Sequence, residues 1–191
     1  SQRGKNGDNQ LSYVGKFTIC LTGGIALVLT MVSSSFIAPA LRKYCLPFVP
    51  ATDAQLRNVL SLLPRDPQSK LLDIGSGDGR IVIRASKLGI ESHGIELNFW
   101  LYLYSKFRAV KYNTAAKTYF FRGDLWKFNV SPYSHIVIFG VEQMMDELER
   151  KLILEAKSGA KIIACRFPLP SLKPIKTIGR GVDTVWLYKM K

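Results

Sequence analysis

Residues 71–80, LLDIGSGDGR, set three glycines at alternate positions after a short apolar run that contains an acid. The loop admits three readings: a cradle for a dinucleotide phosphate, a nest for another nucleoside cofactor, or a tight turn. Glycine permits positive φ and lets a ligand approach the backbone closely. A dinucleotide fingerprint, G-x-G-x-x-G, needs glycine at the sixth position from Gly75, and that position is Arg80. The spacing is G-x-G-x-G instead, with Asp73 just upstream. A carboxylate beside a pyrophosphate repels it, whereas beside an ammonium or sulfonium it attracts.

Working outward, apolar runs alternate with helical patterns. KLLDI (70–74), ESHGIEL (91–97), TYFFRGD (118–124), HIVIFGV (135–141) and AKIIACRF (160–167) read as strands. RIVIRASKLG (80–89), an aromatic stretch from Asn98 to Tyr112, and EQMMDELERKLILEAKSG (142–159) read as helices between them. The last segment shows no helical period and reads as two strands joined at Gly179-Arg180-Gly181. This order predicts an α/β, Rossmann-like fold: a doubly wound, mainly parallel sheet with an antiparallel edge. An N-capping Thr52 and apolar Leu56, Val59, Leu60 and Leu63 predict one further helix before it, stopped by Pro64.

In such sheets ligands sit beyond the carboxyl ends of the strands, where the strand order reverses. The first strand offers Asp73 and the loop residues Gly75, Ser76, Gly77 and Gly79. The second ends in Glu96, 21 residues after Gly75, with Asn98 following. A carboxylate there accepts hydrogen bonds from ribose hydroxyls. The third ends in Asp124 with Leu125, suited to an adenine amino group. Acids at three successive strand ends around a glycine loop describe an adenosine with a cationic amino-acid tail, which is S-adenosylmethionine. The acceptor side is expected after the fourth strand, at Phe139-Gly140-Val141-Glu142, with Glu142 the candidate for orienting the substrate. That stretch lacks the Asn/Asp-Pro-Pro-Tyr/Phe pattern of many amide and adenine methyltransferases.

Residues 17–38 carry no charge over 22 positions. As a helix they reach roughly 33 Å, against about 30 Å for a bilayer core. Ala38-Pro39-Ala40 resembles a signal-peptidase site, but the apolar run exceeds the roughly 7–15 residues of a signal peptide, favouring an uncleaved anchor. The expected organisation is a polar tail (1–16), the anchor (17–38), a linker with a helix (39–69) and the catalytic domain (70–191). The chain opens on Ser1 without methionine, so a transit peptide is left unread.

The net charge of +13 suits nucleic acid or anionic lipid, and residues 156–191 alone hold eight cations against one acid. No separate RNA-binding module is present, and an anchor suits a membrane substrate better. Three scattered cysteines and two distant histidines, His93 and His135, suggest neither disulfides nor a metal site.

LPFVPAT, DIGSGDGRIVI, ELN-W, DLW, VIFGV-QMM, IACRFPLP and DTVW occur in that order over residues 46–191. In this the chain resembles the membrane-anchored mitochondrial lysine methyltransferases of the seven-β-strand class. The resemblance implies an inner-membrane location and a protein lysine as acceptor. It points to trimethylation of the ATP synthase c subunit rather than the adenine nucleotide translocase, since IFGV-QMM and IACRFP favour the former. It also implies that Val49–Thr52 helps close the cofactor site. Two residues depart from the pattern: Phe99 stands where proline is expected, and Arg180 where an acid is. An RNA methyltransferase and a non-catalytic membrane adaptor are the alternatives, the latter disfavoured by the intact acids and glycines.

Overall fold

The structure, a computed structural model, describes residues 13–37, 48–64 and 66–191. The Ala38-Pro39-Ala40 step and most of the expected polar tail lie outside them. The elements run α1 (Tyr13–Ile37), α2 (Asp53–Leu62), β1 (Lys70–Ile74), α3 (Arg80–Ser86), β2 (Glu91–Glu96) and α4 (Phe99–Lys111). After these come β3 (Thr118–Arg122), β4 (His135–Phe139), α5 (Met145–Glu155), β5 (Lys161–Cys165), β6 (Lys176–Ile178) and β7 (Val185–Lys189). The strands form one sheet in the order β3-β2-β1-β4-β5-β7-β6. Strands β1 to β5 are parallel, and β7 runs antiparallel between β5 and β6. Because β1 pairs with both β2 and β4, the strand order reverses above its carboxyl end, where the glycine loop begins.

Side chains of a strand alternate between faces, and β1 shows the consequence. Leu72 and Ile74 pack toward α5, with Leu148 and Leu152. Leu71 packs on the opposite face with Ile81 and Ala85 of α3 and with Leu56 and Val59 of α2. Burying each such aliphatic side chain contributes about 1.5–3 kcal/mol. Asp73 falls on Leu71's face by the same alternation, an acid in line with core residues.

Two boundaries move. Helix α2, expected ahead of a domain starting at residue 70, buries Leu56, Val59 and Leu62 against Leu71, Ile163 and Val185, so it belongs to the core. Its amphipathic spacing is readable in the sequence; which surface it covers depends on strands more than 100 residues away. Thr52 caps it as expected, accepting from the Gln55 amide at 3.0 Å, while Gln55 Oε1 accepts from the Thr52 amide at 3.0 Å. The same Thr52 hydroxyl donates to Asp183 Oδ1 at 2.6 Å, tying α2 to the β6–β7 connection. At the other end, α1 begins at Tyr13 rather than residue 17 and takes in Lys16. A lysine near a helix end can extend its amine away from an apolar stem, so it does not break the helix. Tyr13–Ser34 is long and apolar enough to cross a bilayer.

His135 opens β4 only 5% exposed, its Nδ1 3.1 Å from Ser134 Oγ. Burial above all, then Lys161 and Lys157, lowers its pKa from 6.5 to about 4, against a weaker upward pull from Asp66. Between those two values the unfolded chain binds the extra proton and the folded chain does not. Stability therefore falls as pH drops through that window, by at most about 1.4 kcal/mol per pH unit. Urea unfolding of His135→Gln is expected to show a shallower acid limb than the native chain. An unchanged limb would place the acid sensitivity elsewhere.

Candidate cofactor and acceptor site

Where β1 ends, Gly75, Gly77 and Gly79 take φ of 71°, 53° and 74°, a left-handed path that side chains rarely follow. The amides of Gly75 and Ser76 both donate to the Ile95 carbonyl, at 2.9 and 3.1 Å. The Gly77 amide donates to Glu96 Oε2 at 2.9 Å. The loop is thus stitched to the end of β2. That approach requires Gly94, where a Cβ would come within 2.6 Å of Ser76 Oγ. At Gly75 a Cβ would meet nothing within 4 Å, leaving that side of the loop open.

The loop borders a cavity of about 550 Å³, within the range of roughly 300–1,000 Å³ usual for small-molecule sites. Asp73, Gly75, Ser76 and Gly77 line it, as do Glu96, Asn98, Asp124 and Leu125. Asp73 is 2% exposed, and its Oδ1 has no hydrogen-bond partner among the described residues. Burial raises its pKa well above the ordinary value, and Glu96 and Asp78 add to the shift. Ser76 Oγ is likewise buried without a partner among the described residues. Glu96 has two structural bonds, since its Oε1 also accepts from the Asn98 amide at 2.8 Å. Asn98 caps α4, its Oδ1 accepting from the amides of Trp100 (2.9 Å) and Leu101 (3.2 Å). Asp124 caps the turn Leu125–Lys127 through the Trp126 amide at 3.1 Å.

Two expected site residues stand elsewhere. Gly79 does not line the cavity; a Cβ there would strike Phe120 and Ser105 at 2.8–2.9 Å, so it serves the packing of α3 on α4 and β3. Glu142 is exposed and also outside the cavity, because the single turn Glu142–Met144 carries it outward. The acid that α5 does bring to the cavity is Glu147, together with Met144. Phe139, Gly140 and Val141 also border it. Of the residues departing from the family pattern, Phe99 does not line the cavity but packs edge-on against Trp100, ring centroids 5.3 Å apart.

Sequence reasoning misses Asp78, which organises the rim. Only 7% exposed, it accepts from Arg80 Nε at 3.0 Å and pairs with Arg108 Nη1 at 2.5 Å. Arg80 then reaches across to donate from Nη1 to the Ala51 carbonyl at 2.6 Å. This fixes the strap 48–51 over the cavity, and the Phe48 ring lies close above Gly77. The adjacency of Asp78 and Arg80 is the available signal; Arg108 comes from another helix and gives none. Arg166, just after β5, lines the cavity with φ of 72° and a buried Nε that has no partner among the described residues.

A buried acid lacking a partner, a glycine cradle open on one side and a second acid at the end of β2 fit a ligand with a cationic tail and a ribose. Comparison with known proteins agrees. A family model described as the ANTKMT methyltransferase domain matches residues 73–176. Another, the N-terminal domain of the ATP synthase c subunit lysine N-methyltransferase, matches residues 10–42. The Mus musculus ATP synthase c subunit lysine N-methyltransferase is 52% identical over 170 residues, covering 89% of this chain and 68% of that protein. The Mus musculus adenine nucleotide translocase lysine N-methyltransferase is 39% identical over 143 residues, 74% of this chain and 62% of its own length. Among solved structures, an RNA methyltransferase from Salinibacter ruber in complex with S-adenosyl-L-homocysteine superposes with a TM-score of 0.71 at 27% identity. The match covers 74% of this chain and 94% of that one. With both its N-terminal segment and its catalytic fold matched, the chain belongs to the family of ATP synthase c subunit lysine N-methyltransferases.

Proposed function

We propose that this protein transfers methyl groups from S-adenosylmethionine to a lysine of the ATP synthase c subunit, to the trimethyl state, while anchored by α1 as a single-pass protein of the inner mitochondrial membrane. One observation carries the reading. A single cavity joins a buried acid without a hydrogen-bond partner among the described residues, and a glycine cradle, to a wall formed by Phe139–Val141 and Glu147, in a chain half identical to enzymes of that name.

Bound there, S-adenosylmethionine supplies an electrophilic methyl group on a sulfonium. Asp73 is the residue to neutralise its positive end, and the open face of Gly75 gives it room. Each carboxylate oxygen accepts more than one hydrogen bond, so Glu96 can hold the loop and still receive ribose hydroxyls. Asp124 and Leu125 border the adenine side. Arg166 offers its guanidinium to the carboxylate of the amino-acid tail.

The acceptor amine must arrive neutral, which for a lysine of pKa about 10.4 costs roughly 4–5 kcal/mol near pH 7. Desolvation beside Phe139 and Val141 lowers that cost. Alignment against the cavity wall supplies several kcal/mol more, so no strong base is needed. Glu147 would orient the amine and hold its departing proton.

Full-length protein incubated with labelled S-adenosylmethionine and mitochondrial membranes is expected to label the c subunit, in a band destroyed by protease and not by nuclease. Label on the translocase alone would reassign the substrate. Label removed by nuclease would support RNA as acceptor, the second reading that the +13 charge and the Salinibacter ruber structure favour. In the same assay Glu147→Gln is expected to lower turnover about 10²-fold with cofactor binding retained, whereas Glu142→Gln stays within about twofold.

A further inference from the structure

Helix α4 is built inside out. Its core-facing positions are small or polar, with Ser105 and Ala109 buried. Its outward stripe is apolar: Trp100, Leu103, Tyr104, Phe107 and Val110 are 36–69% exposed at the i, i+3, i+4, i+7, i+10 spacing of one helical face. The stripe is confined to α4: Phe120 of the edge strand β3 packs beneath the helix against Ser105 and the glycine loop, and by alternation its neighbours Tyr119 and Phe121 belong to the opposite face of the sheet. An exposed apolar surface this continuous marks a site of association.

Its composition indicates what covers it. Residues 99–112 hold six aromatic residues, three cations and no acid. The cations interleave with the rings: Lys106 lies over Tyr102 at 5.4 Å, Lys87 over Tyr112 at 5.1 Å, and Arg122 over Phe99 at 5.1 Å. Aromatic rings flanked by Lys and Arg suit the boundary between acyl chains and anionic headgroups. Position gives the second argument. The apolar helix α1 passes alongside α4, and none of the described residues buries its candidate span.

We infer that the outward face of α4 docks in the headgroup region of an anionic lipid bilayer. This rests on the reading of α1 as an anchor. It also gives the anchor a geometric purpose. Asn98 and Leu101, at the amino end of α4, line the cavity, so a docked α4 keeps the cavity close to the membrane surface, where a lysine of an embedded protein would present itself.

The test uses the full chain reconstituted in vesicles of phosphatidylcholine with or without cardiolipin, carrying the photoreactive residue benzoylphenylalanine at one position. Leu27 in α1 reports the anchor, Phe107 reports the docked face, and Leu154, 84% exposed on α5, is the control. Strong lipid adducts are expected at 27 and 107, the latter rising severalfold with cardiolipin, and few at 154. Adducts absent at 27 would overturn the anchor. Adducts at 27 with those at 107 no higher than at 154, or with only protein adducts at 107, would overturn the docking.

Discussion

Asp73→Asn is expected to weaken S-adenosylmethionine binding by about 30-fold to several-thousand-fold while raising the melting temperature of the ligand-free protein. The first effect follows from removing one charge of a buried pair, a loss of about 2–5 kcal/mol. The second follows from the acid's surroundings. Burial, then Glu96 and Asp78, lift the Asp73 pKa well above its ordinary value, so the folded state holds this proton more tightly than the unfolded chain. Stability from that proton is present at low pH and is lost as pH rises through the folded value. At neutral pH the empty site therefore carries an electrostatic cost that a bound cation offsets. An asparagine keeps the shape without the charge, and the gain is expected to be a few degrees, roughly 2–4 °C per kcal/mol for a chain of this size. Titration calorimetry and thermal unfolding, with and without ligand, check both signs. Unchanged affinity with a lowered melting temperature would show that Asp73 serves the core and not the cofactor.

The same residue shows what can be read from sequence. An acid ending an apolar run before alternate glycines identifies the strand, the loop and the charge preference, because these are local. β1 and β4 begin where the pattern places them, and the terminal hairpin turns near Gly179–Gly181 as expected. Boundaries at carboxyl ends are less legible. α5 ends at Glu155, with Gly159 closing the following turn at φ of 81°, because the glycine signals the reversal and not the last helical residue. The site is legible where ligand-facing residues sit at strand ends and obscure where contacts are distant. Glu142 is the first acid after β4, but a single helical turn before α5 rotates it outward and brings Glu147 to the cavity. The apolar residues of α4 are plainly visible as aromatics. That their stripe faces away from the core depends on Ser105 and Ala109 being the residues that fit under Phe120 and the loop.

Asp78→Asn is expected to destabilise the protein by about 3–5 kcal/mol and to loosen the cofactor site together with it, because two guanidiniums lose one shared anion. Arg80 and Arg108 come from different helices, and only 10% of the Asp78 side chain is exposed, so solvent does little to replace the pair. The melting temperature should fall by roughly 10 °C at 2–4 °C per kcal/mol. Stability and binding are separable here. Arg108→Met leaves Asp78 paired with Arg80, and Arg80 bonded to Ala51, so it should cost stability with little change in affinity. Arg80→Met cuts the tether to the strap that carries Phe48 over Gly77, and is expected to weaken cofactor binding more than it lowers the melting temperature. The triple variant Asp78→Asn, Arg80→Met, Arg108→Met removes all three charges, leaving no guanidinium uncompensated, and should regain much of the lost stability. It should not regain affinity, since the Arg80 tether to the Ala51 carbonyl is gone. Recovery of both in the triple variant would mean that the ion cluster only supports the fold and that the strap closes without it.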